Sequence, residues 1–161
     1  MKKLLFALML VPYAAIADDV PDVAPAGLID VAELEREVWG AVNLTSYHFS
    51  EQQFNQNNIG AGVEYHFDSD LLVLGGKYKN SVGGKSTYAL AGWTPLHYGA
   101  FHAGLAVGAV NGYPALNNGK LAPVAVGLIR AEGERFGANL IVIPAAKGSP
   151  LTIGLQLKMK F

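Results

Sequence analysis

Hydrophobic and polar residues alternate strictly over the last eleven residues of the chain, 151–161. Every odd position is apolar, and every even position is polar or glycine. A period of two predicts a β-strand with one apolar face. This strand is longer than the common globular strand and has the length that a tilted strand needs to cross a bilayer. Because an open sheet edge is unstable in hydrocarbon, a spanning strand also requires the preceding chain to close into a barrel.

The same kind of pattern predicts seven further strands upstream. The connections between the strands are alternately short turns and longer loops rich in glycine or asparagine. Outer-membrane barrels have this rhythm, because their periplasmic turns are short and their outer loops are longer. We therefore predict an all-β fold, an eight-stranded antiparallel transmembrane β-barrel over residues 38–161. The predicted strands are 38–49, 58–67, 71–80, 86–97, 101–110, 119–131, 136–144 and 151–161.

The N-terminal region has a different pattern. Two lysines precede an apolar stretch over residues 4–16, and Ala15-Ile16-Ala17 forms a small-residue cleavage sequence. Residues 1–17 are therefore predicted to be a signal peptide. Residues 18–37 predict a proline-containing leader and a short amphipathic helix, which either lies at the membrane interface or packs against the barrel mouth. The bacterial outer membrane is the predicted location.

Composition agrees with a barrel but does not by itself distinguish it from a soluble sandwich. Apolar residues make up 51% of the 161 residues and charged residues 16%, yet no long apolar run follows the N-terminal stretch. The apolar surplus is therefore spread by alternation, unlike that of a helical membrane protein. The formal net charge of -1 offers no basic stripe, so we predict no nucleic-acid partner.

Aromatic residues recur near both ends of the predicted strands. Because amphipathic rings favour the two membrane interfaces, we expect them to form two outward girdles. The girdle at the short turns would contain Trp39, Phe67, Trp93, Tyr98, Phe101, Phe136 and Phe161, and the girdle at the long loops Tyr47, Phe49, Tyr78, Tyr88 and Tyr113. Glycines along several strands either leave room for a cavity in the narrow interior or relieve crowding between strands.

Metal and cofactor chemistry has little support. The chain contains no cysteine, which excludes disulfides and thiolate metal sites. The four histidines, His48, His66, His97 and His102, lack metal-like spacing, and the last three are predicted to be interfacial polar residues. The sequence Gly-Gly-Lys-Ser-Thr at 83–87 ends like a phosphate loop, but Lys79 stands where the first glycine is required. We therefore predict no metal and no cofactor.

Candidate catalytic residues lie together at one rim of the predicted barrel. His48 ends the first predicted strand on the long-loop side, and the up-and-down path brings Asn80 and Ser81 to the same side. A hydroxyl, a base that takes its proton and a group that orients the base are the ingredients of nucleophilic acyl transfer. Polar residues are also expected at the rim of any barrel, so a purely structural rim remains an alternative.

Several stretches around this rim carry a family resemblance. They are Ser46-Tyr47-His48-Phe49, Phe54-Asn55-Gln56-Asn57-Asn58-Ile59-Gly60-Ala61-Gly62 and Tyr78-Lys79-Asn80-Ser81, with shorter matches at Pro95, His102-Ala103-Gly104-Leu105, Leu121-Ala122-Pro123 and Ile143-Pro144. With these residues the chain from Ser46 onward resembles the lipid A palmitoyltransferases (PagP type). That family consists of eight-stranded outer-membrane barrels with an N-terminal amphipathic helix. A histidine ends its first strand, and an Asp-Ser pair follows its third.

The resemblance implies a monomeric enzyme that moves a fatty acyl chain from a phospholipid to lipid A, the lipid of lipopolysaccharide. Its partners would be these two lipids and the other lipids of the outer membrane. The resemblance also implies that His48 is the general base, that Ser81 accepts the acyl group or positions the substrate, and that Asn80 orients the base or donates a hydrogen bond. The chain departs from the family at Asn80, where aspartate is expected. The alternative is a non-enzymatic structural or surface-binding barrel. An apolar luminal pocket would favour the enzyme, and a lumen packed with charged pairs would favour the structural protein.

Overall fold

The computed structural model describes residues 36–146 and 149–161. Within these residues the chain forms eight antiparallel strands that close into a barrel, since each strand pairs with its neighbour in sequence and β8 pairs with β1. The predicted all-β fold and closed barrel are therefore confirmed. The strands are Glu37–His48 (β1), Asn57–His66 (β2), Leu71–Lys79 (β3), Lys85–Tyr98 (β4), Phe101–Val110 (β5), Ala122–Glu132 (β6), Phe136–Ile143 (β7) and Thr152–Lys160 (β8).

The largest difference from the predicted strand bounds occurs before β6. That strand was predicted from residue 119 but begins at Ala122. A 3-10 turn, Asn117–Gly119, occupies the intervening residues. All three of its residues have positive φ, which is incompatible with an extended strand.

The predicted signal peptide, 1–17, lies outside the described residues, as do residues 18–35 of the predicted leader and helix. Glu37 and Val38, which the helical spacing included, belong to β1 instead. The reason is sheet pairing: Glu37 pairs with His66 and Val38 with Tyr65 on β2. No helix in the part of the chain that the structure describes is long and apolar enough to cross a membrane.

The alternation of β8 places polar residues inside the barrel. The side chains of Thr152, Gln156 and Lys158 are buried, whereas Leu157 is 49% exposed. The same division recurs around the barrel, so many large apolar side chains lie on its outer surface, among them Val42, Ile59, Val63, Val73, Leu96, Leu105, Val107, Ile129 and Leu140. This arrangement is the reverse of that in a water-soluble protein, in which the largest apolar side chains are preferentially buried.

The predicted aromatic girdles are only partly correct. Eight of the predicted side chains in the described residues are exposed: Tyr47, Phe49, Phe67, Trp93, Tyr98, Phe101, Phe136 and Phe161. Trp39 and Tyr88 are buried in the lumen instead, and Tyr78 and Tyr113 line its cavity. Strand parity explains the difference, because Trp39 shares a strand face with the buried residues Ala41 and Asn43.

The short turn between β2 and β3 is held by Asp68. One of its carboxylate oxygens accepts hydrogen bonds from the backbone N–H groups of Asp70 and Leu71, at 2.8 and 2.7 Å. These two donors hold the pKa of the Asp68 carboxyl below its usual value. This end of the barrel, with the β2–β3, β4–β5 and β6–β7 turns, is called the turn end below, and the opposite end is called the loop end.

Glycines serve both of the predicted purposes. At Gly62, a Cβ atom would lie 2.6 Å from the Gly75 carbonyl oxygen and 2.8 Å from the Tyr88 hydroxyl, so glycine there permits close packing. At Gly154, the nearest atoms to an added Cβ are 3.9 Å away on Ile141. Because Gly154 also lies on the cavity wall, its missing side chain contributes to the luminal space.

Candidate functional site

The turn end of the lumen is filled by a charged layer, which we define as Glu37, Glu64, His66, Arg130, Glu132, Lys158 and Lys160. In the described residues these make a connected set of ion pairs with three carboxylates and three lysine or arginine cations. Opposite charges in equal number make burial of such groups tolerable, because each charge has a close partner. His66 was predicted to be interfacial, and this is wrong: its side chain is buried within the layer.

Lys158 lies at the centre of the charged layer. Its ammonium group is 2.5 Å from a carboxylate oxygen of both Glu64 and Glu132, and it lies 4.9 Å from the centroid of the Trp39 ring. Arg130 reaches Glu132 at 3.0 Å and donates to the backbone carbonyl of Ser69 at 2.6 Å. The turn end of the lumen is thus closed by side chains that bind one another.

The ligand atoms of Glu64, His66 and Glu132 lie within 4.8 Å of one another, as metal ligands would. The Lys158 ammonium group already pairs with both carboxylates of this cluster. Arg130 adds a second cation beside Glu132. The cluster is therefore explained by ion pairing.

A chain of amide hydrogen bonds leads from the charged layer towards the loop end. Asn139 Nδ2 donates to Glu64 Oε2 at 2.7 Å and to Gln156 Oε1 at 3.2 Å. Gln156 Nε2 then donates to Asn43 Oδ1 at 2.6 Å and to the Tyr88 hydroxyl at 2.9 Å. These residues form a polar floor beneath the upper half of the lumen.

Above this floor the lumen contains a cavity of about 200 Å³. Its wall is mainly apolar and includes Leu90, Val110, Leu116, Val124, Val126, Ile141 and Ile143. The Tyr78 and Tyr113 hydroxyls bond to each other across part of it, at 2.8 Å. His48 and Ser81 belong to the same wall, towards the loop end. The lumen therefore combines the two predicted alternatives, with charged pairs at the turn end and an apolar pocket at the loop end.

His48 ends β1 and faces the lumen. It pairs with Thr152 on β8, and its side chain is 9% exposed. The imidazole stacks on Phe54 of the β1–β2 loop, with ring centroids 4.6 Å apart. Its Nδ1 atom is buried and has no hydrogen-bond partner in the described part of the protein. A register shift between Asn43 and Thr45 precedes this stretch, so strict alternation along β1 does not predict its direction.

Asn80 is fully buried and holds the β3–β4 loop. Its Nδ2 atom donates to Ser86 Oγ at 3.0 Å and to the Gly112 carbonyl at 2.9 Å. Its Oδ1 atom accepts from the backbone N–H groups of Val82 and Gly84, at 3.2 and 2.7 Å. Among the described residues, the hydrogen bonds of this amide do not include one to His48.

Ser81 follows Asn80 in the loop and is half-buried on the cavity wall. Its backbone carbonyl accepts a hydrogen bond from Asn55 at 2.9 Å, which joins the β3–β4 loop to the β1–β2 loop. The structure thus places His48 and Ser81 on one cavity and Asn80 behind it. The catalytic roles predicted for these residues stay predictions.

The hydrogen-bonded pairing of the barrel wall is incomplete beside the cavity, between β6 and β7. Their pairing runs from Gly127 and Val142 towards the turn end, and in the described chain residues 122–126 of β6 have no ladder partner on β7. Pro144 follows the last residue of β7 and has no N–H group with which to continue the ladder. The cavity wall therefore has fewer interstrand hydrogen bonds at this position.

The sequence interpretation missed the polar floor. Gln156 was recognised as a polar position of the last strand, but its partners lie far away in sequence on β1, β4 and β7. The available signal was parity, because a polar residue between outward apolar residues of a barrel strand faces the lumen. Parity gives a direction for each side chain but does not give its partner.

Comparison with known proteins finds solved structures with a similar fold. The chain is similar in fold to the N-terminal β-barrel domain of OprF from Pseudomonas aeruginosa, with 14% sequence identity and a TM-score of 0.47. The match covers 78% of this chain and 97% of that domain. No family model matches the sequence, and no curated protein matches it. The resemblance to the lipid A palmitoyltransferases rests on the residues quoted above.

Proposed function

We propose that this protein is a monomeric transmembrane barrel of the bacterial outer membrane. The support is the outer surface, where apolar side chains such as Val63, Leu105 and Ile129 face away from the lumen. Exposed rings add to this surface, with Trp93 57% and Phe136 68% exposed. Hydrocarbon would cover these side chains, and closure of the barrel gives every strand two paired neighbours, so no strand lies at an open sheet edge in the membrane.

Within this barrel we propose a lipid acyltransferase that moves a fatty acyl chain from a phospholipid to lipid A. The observation that carries this proposal is the cavity, which combines a mainly apolar wall with His48 and Ser81 towards the loop end. An apolar pocket with a few polar groups is typical of a small-molecule site. A hydrocarbon chain in the cavity would place its ester carbonyl near the imidazole and hydroxyl.

The proposed reaction uses these two groups at the ester. His48 takes the proton from the attacking hydroxyl, whose oxygen forms a bond to the ester carbonyl carbon. The bond from that carbon to the glycerol oxygen breaks, and the protonated imidazole returns the proton to the leaving lysophospholipid. Ser81 either positions the ester for the lipid A hydroxyl or provides the first attacking hydroxyl. In the second case the lipid A hydroxyl then attacks the Ser81 ester, His48 takes its proton, and the serine oxygen leaves with that proton. Phe54 stacks on the imidazole and holds its plane against the loop.

Lipids reach a membrane protein sideways, so the proposal also needs a lateral route. The unpaired part of β6, 122–126, lies beside the cavity and lacks ladder hydrogen bonds to β7 in the described chain. Less free energy is needed to separate two strands that share no hydrogen bonds than to break a hydrogen-bonded ladder. We propose that the acyl chain enters between β6 and β7.

A second candidate is a structural barrel without catalysis. Asn80 favours it, because the amide that the resemblance assigns to the catalytic site is instead bonded to Ser86, Gly112 and its own loop. The charged layer favours it as well, since it closes the turn end with ion pairs. The cavity distinguishes the candidates, because a structural barrel does not require it.

An in vitro assay tests the proposed transfer. Purified protein in detergent micelles is mixed with lipid A and a phospholipid that carries a labelled acyl chain. The acyltransferase hypothesis predicts that wild type produces labelled lipid A and that His48→Ala and Ser81→Ala produce almost none. If wild type produces no labelled lipid A under conditions in which a known palmitoyltransferase does, the structural candidate replaces the enzyme.

A further inference from the structure

The polar floor of the cavity contains a buried amide whose donor is unused. Asn43 lines the cavity and is 9% exposed. Its Oδ1 atom accepts a hydrogen bond from Gln156, but its Nδ2 atom is buried and has no hydrogen-bond partner in the described residues. A buried amide donor without a partner is costly, so such a group in a cavity indicates a bound acceptor.

The charged layer fixes which way this amide points. The Glu64 carboxylate only accepts, so Asn139 must present its NH₂ group to it. The same NH₂ group also faces Gln156, which therefore presents its oxygen to Asn139 and its NH₂ group to Asn43. Asn43 must therefore accept this hydrogen bond through its side-chain oxygen. Its NH₂ group is then the one left over, and it lies beside the Tyr88 hydroxyl at the floor of the cavity.

Tyr88 adds a second donor to the same floor. Tyr88 lines the cavity, and its hydroxyl accepts a hydrogen bond from Gln156 at 2.9 Å, which leaves the hydroxyl proton to be donated. Gln156 binds both Asn43 and Tyr88 through the same nitrogen, so the two donors lie side by side. An unsubstituted hydrocarbon tail would satisfy neither group.

We infer that the cavity takes an acyl chain that carries a hydrogen-bond-accepting oxygen, a hydroxyl or carbonyl group, at the depth of Asn43. This inference rests on the proposed acyl-chain binding and specifies its substrate class. His48 pairs with Thr152 and Asn43 with Gln156 on β8, and β8 advances roughly 13 Å between these partners at about 3.3 Å per residue, so the oxygen belongs well along the chain from the ester. The alternative is that a water molecule accepts hydrogen bonds from these donors beneath an unsubstituted acyl chain.

The test measures binding to the full chain in detergent micelles by displacement of a fluorescent fatty acid. The probes are hexadecanoic acid and a series of oxo-hexadecanoic acids in which the carbonyl is moved carbon by carbon towards the tail end. We expect one narrow range of positions to bind more tightly than its neighbours. The quantity compared is the ratio of dissociation constants, plain acid over the best oxo acid.

Variants then locate the cause of the preference. Asn43→Leu and Tyr88→Phe each remove one donor, and Tyr88→Phe also keeps the size of the ring. We expect the ratio to fall roughly tenfold in Asn43→Leu and severalfold in Tyr88→Phe, as the loss of a buried hydrogen bond implies. Gln53→Leu is the matched control, because Gln53 is exposed and lies outside the cavity wall, and its ratio should equal that of wild type.

The outcomes separate this inference from the proposed function. If the plain acid binds and every oxo acid binds equally or more weakly, the cavity binds acyl chains but the floor does not select oxygen, and the inference is wrong. The same holds if a preference exists but survives in both Asn43→Leu and Tyr88→Phe. If no acid displaces the fluorescent probe, or the probe itself does not bind, the proposed acyl-chain binding fails and the inference fails with it.

Discussion

The imidazole of His48 lies nearly parallel to the ring of Phe54, with centroids 4.6 Å apart and planes inclined by 19°. The two residues belong to different parts of the fold, one to the end of β1 and the other to the β1–β2 loop. The loop is in turn joined to the β3–β4 loop, because the backbone N–H of Asn55 donates to the Ser81 carbonyl. This packing couples the position of the imidazole to the loop that carries Ser81.

Removal of the imidazole should abolish transfer without unfolding the barrel. A positioned general base commonly contributes about two to four orders of magnitude to a rate, so His48→Ala should lower the transfer rate by that amount. Because His48 lies at the end of its strand, the variant should keep the wild-type β-sheet circular dichroism. A variant that keeps the wild-type rate would exclude His48 as the base.

Phe54→Ala should separate positioning from chemistry. The imidazole would remain but lose its stacking partner, so we expect a smaller rate loss than in His48→Ala, about tenfold. Phe54→Tyr keeps the aromatic face and should restore most of the activity, measured in the same labelled-lipid assay. Equal losses in Phe54→Ala and Phe54→Tyr would argue against stacking as the cause.

Asn80→Asp should destabilise the protein, although the family resemblance alone predicts that it leaves activity intact or raises it. The carboxylate would keep the hydrogen bonds from Val82 and Gly84 but would face the Gly112 carbonyl without a donor. The expected cost is about 1–3 kcal/mol of unfolding free energy, read from urea titration in micelles.

Asn111→Asp is the matched control for that substitution. Asn111 uses only its side-chain oxygen in the described structure, accepting from the Thr87 backbone N–H at 2.8 Å, and aspartate preserves this bond. Its unfolding free energy should stay near that of wild type. If Asn80→Asp is as stable as Asn111→Asp and transfers faster than wild type, the catalytic role implied by the resemblance is supported over the loop-holding role.

The sequence predicted the strands well and the polar partners poorly, and β8 and Asn80 illustrate why. Alternation in β8 is a local property of successive side chains, so it predicts both the strand and its inward face. The environment of Asn80 depends on Ser86 and Gly112, which local pattern does not reveal. Trp39 was predicted to lie in a girdle because aromatic rings favour membrane interfaces. The alternation of side chains along β1 directs it into the lumen instead.

Gly154→Leu should block the cavity. An added Cβ has only ordinary contacts there, the nearest at 3.9 Å, so the backbone can accept a side chain that then occupies luminal space. We expect loss of fatty-acid binding in the displacement assay while the barrel stays folded. Gly133→Leu, in the exposed β6–β7 turn, is the control and should bind as wild type does. Unchanged binding in Gly154→Leu would place the acyl chain outside this cavity.

Lys158→Met should destabilise the charged layer. Its removal leaves Glu64 and Glu132 without their shared ammonium partner, and breaking a buried pair in this way costs about 3–5 kcal/mol. Urea titration in micelles measures the loss, and Lys120→Met, at an exposed loop position, is the control. A cost no larger than that of the control would mean that the charged layer does not stabilise the barrel.

The central claim, an outer-membrane barrel that acylates lipid A, is tested most directly by mass spectrometry of lipid A from the same strain with and without the gene. The account predicts that cells with the gene carry an additional lipid A species, heavier by one acyl chain, and that this species disappears with His48→Ala. Identical lipid A spectra in the two strains, under conditions in which an active palmitoyltransferase gives the heavier species, would contradict it.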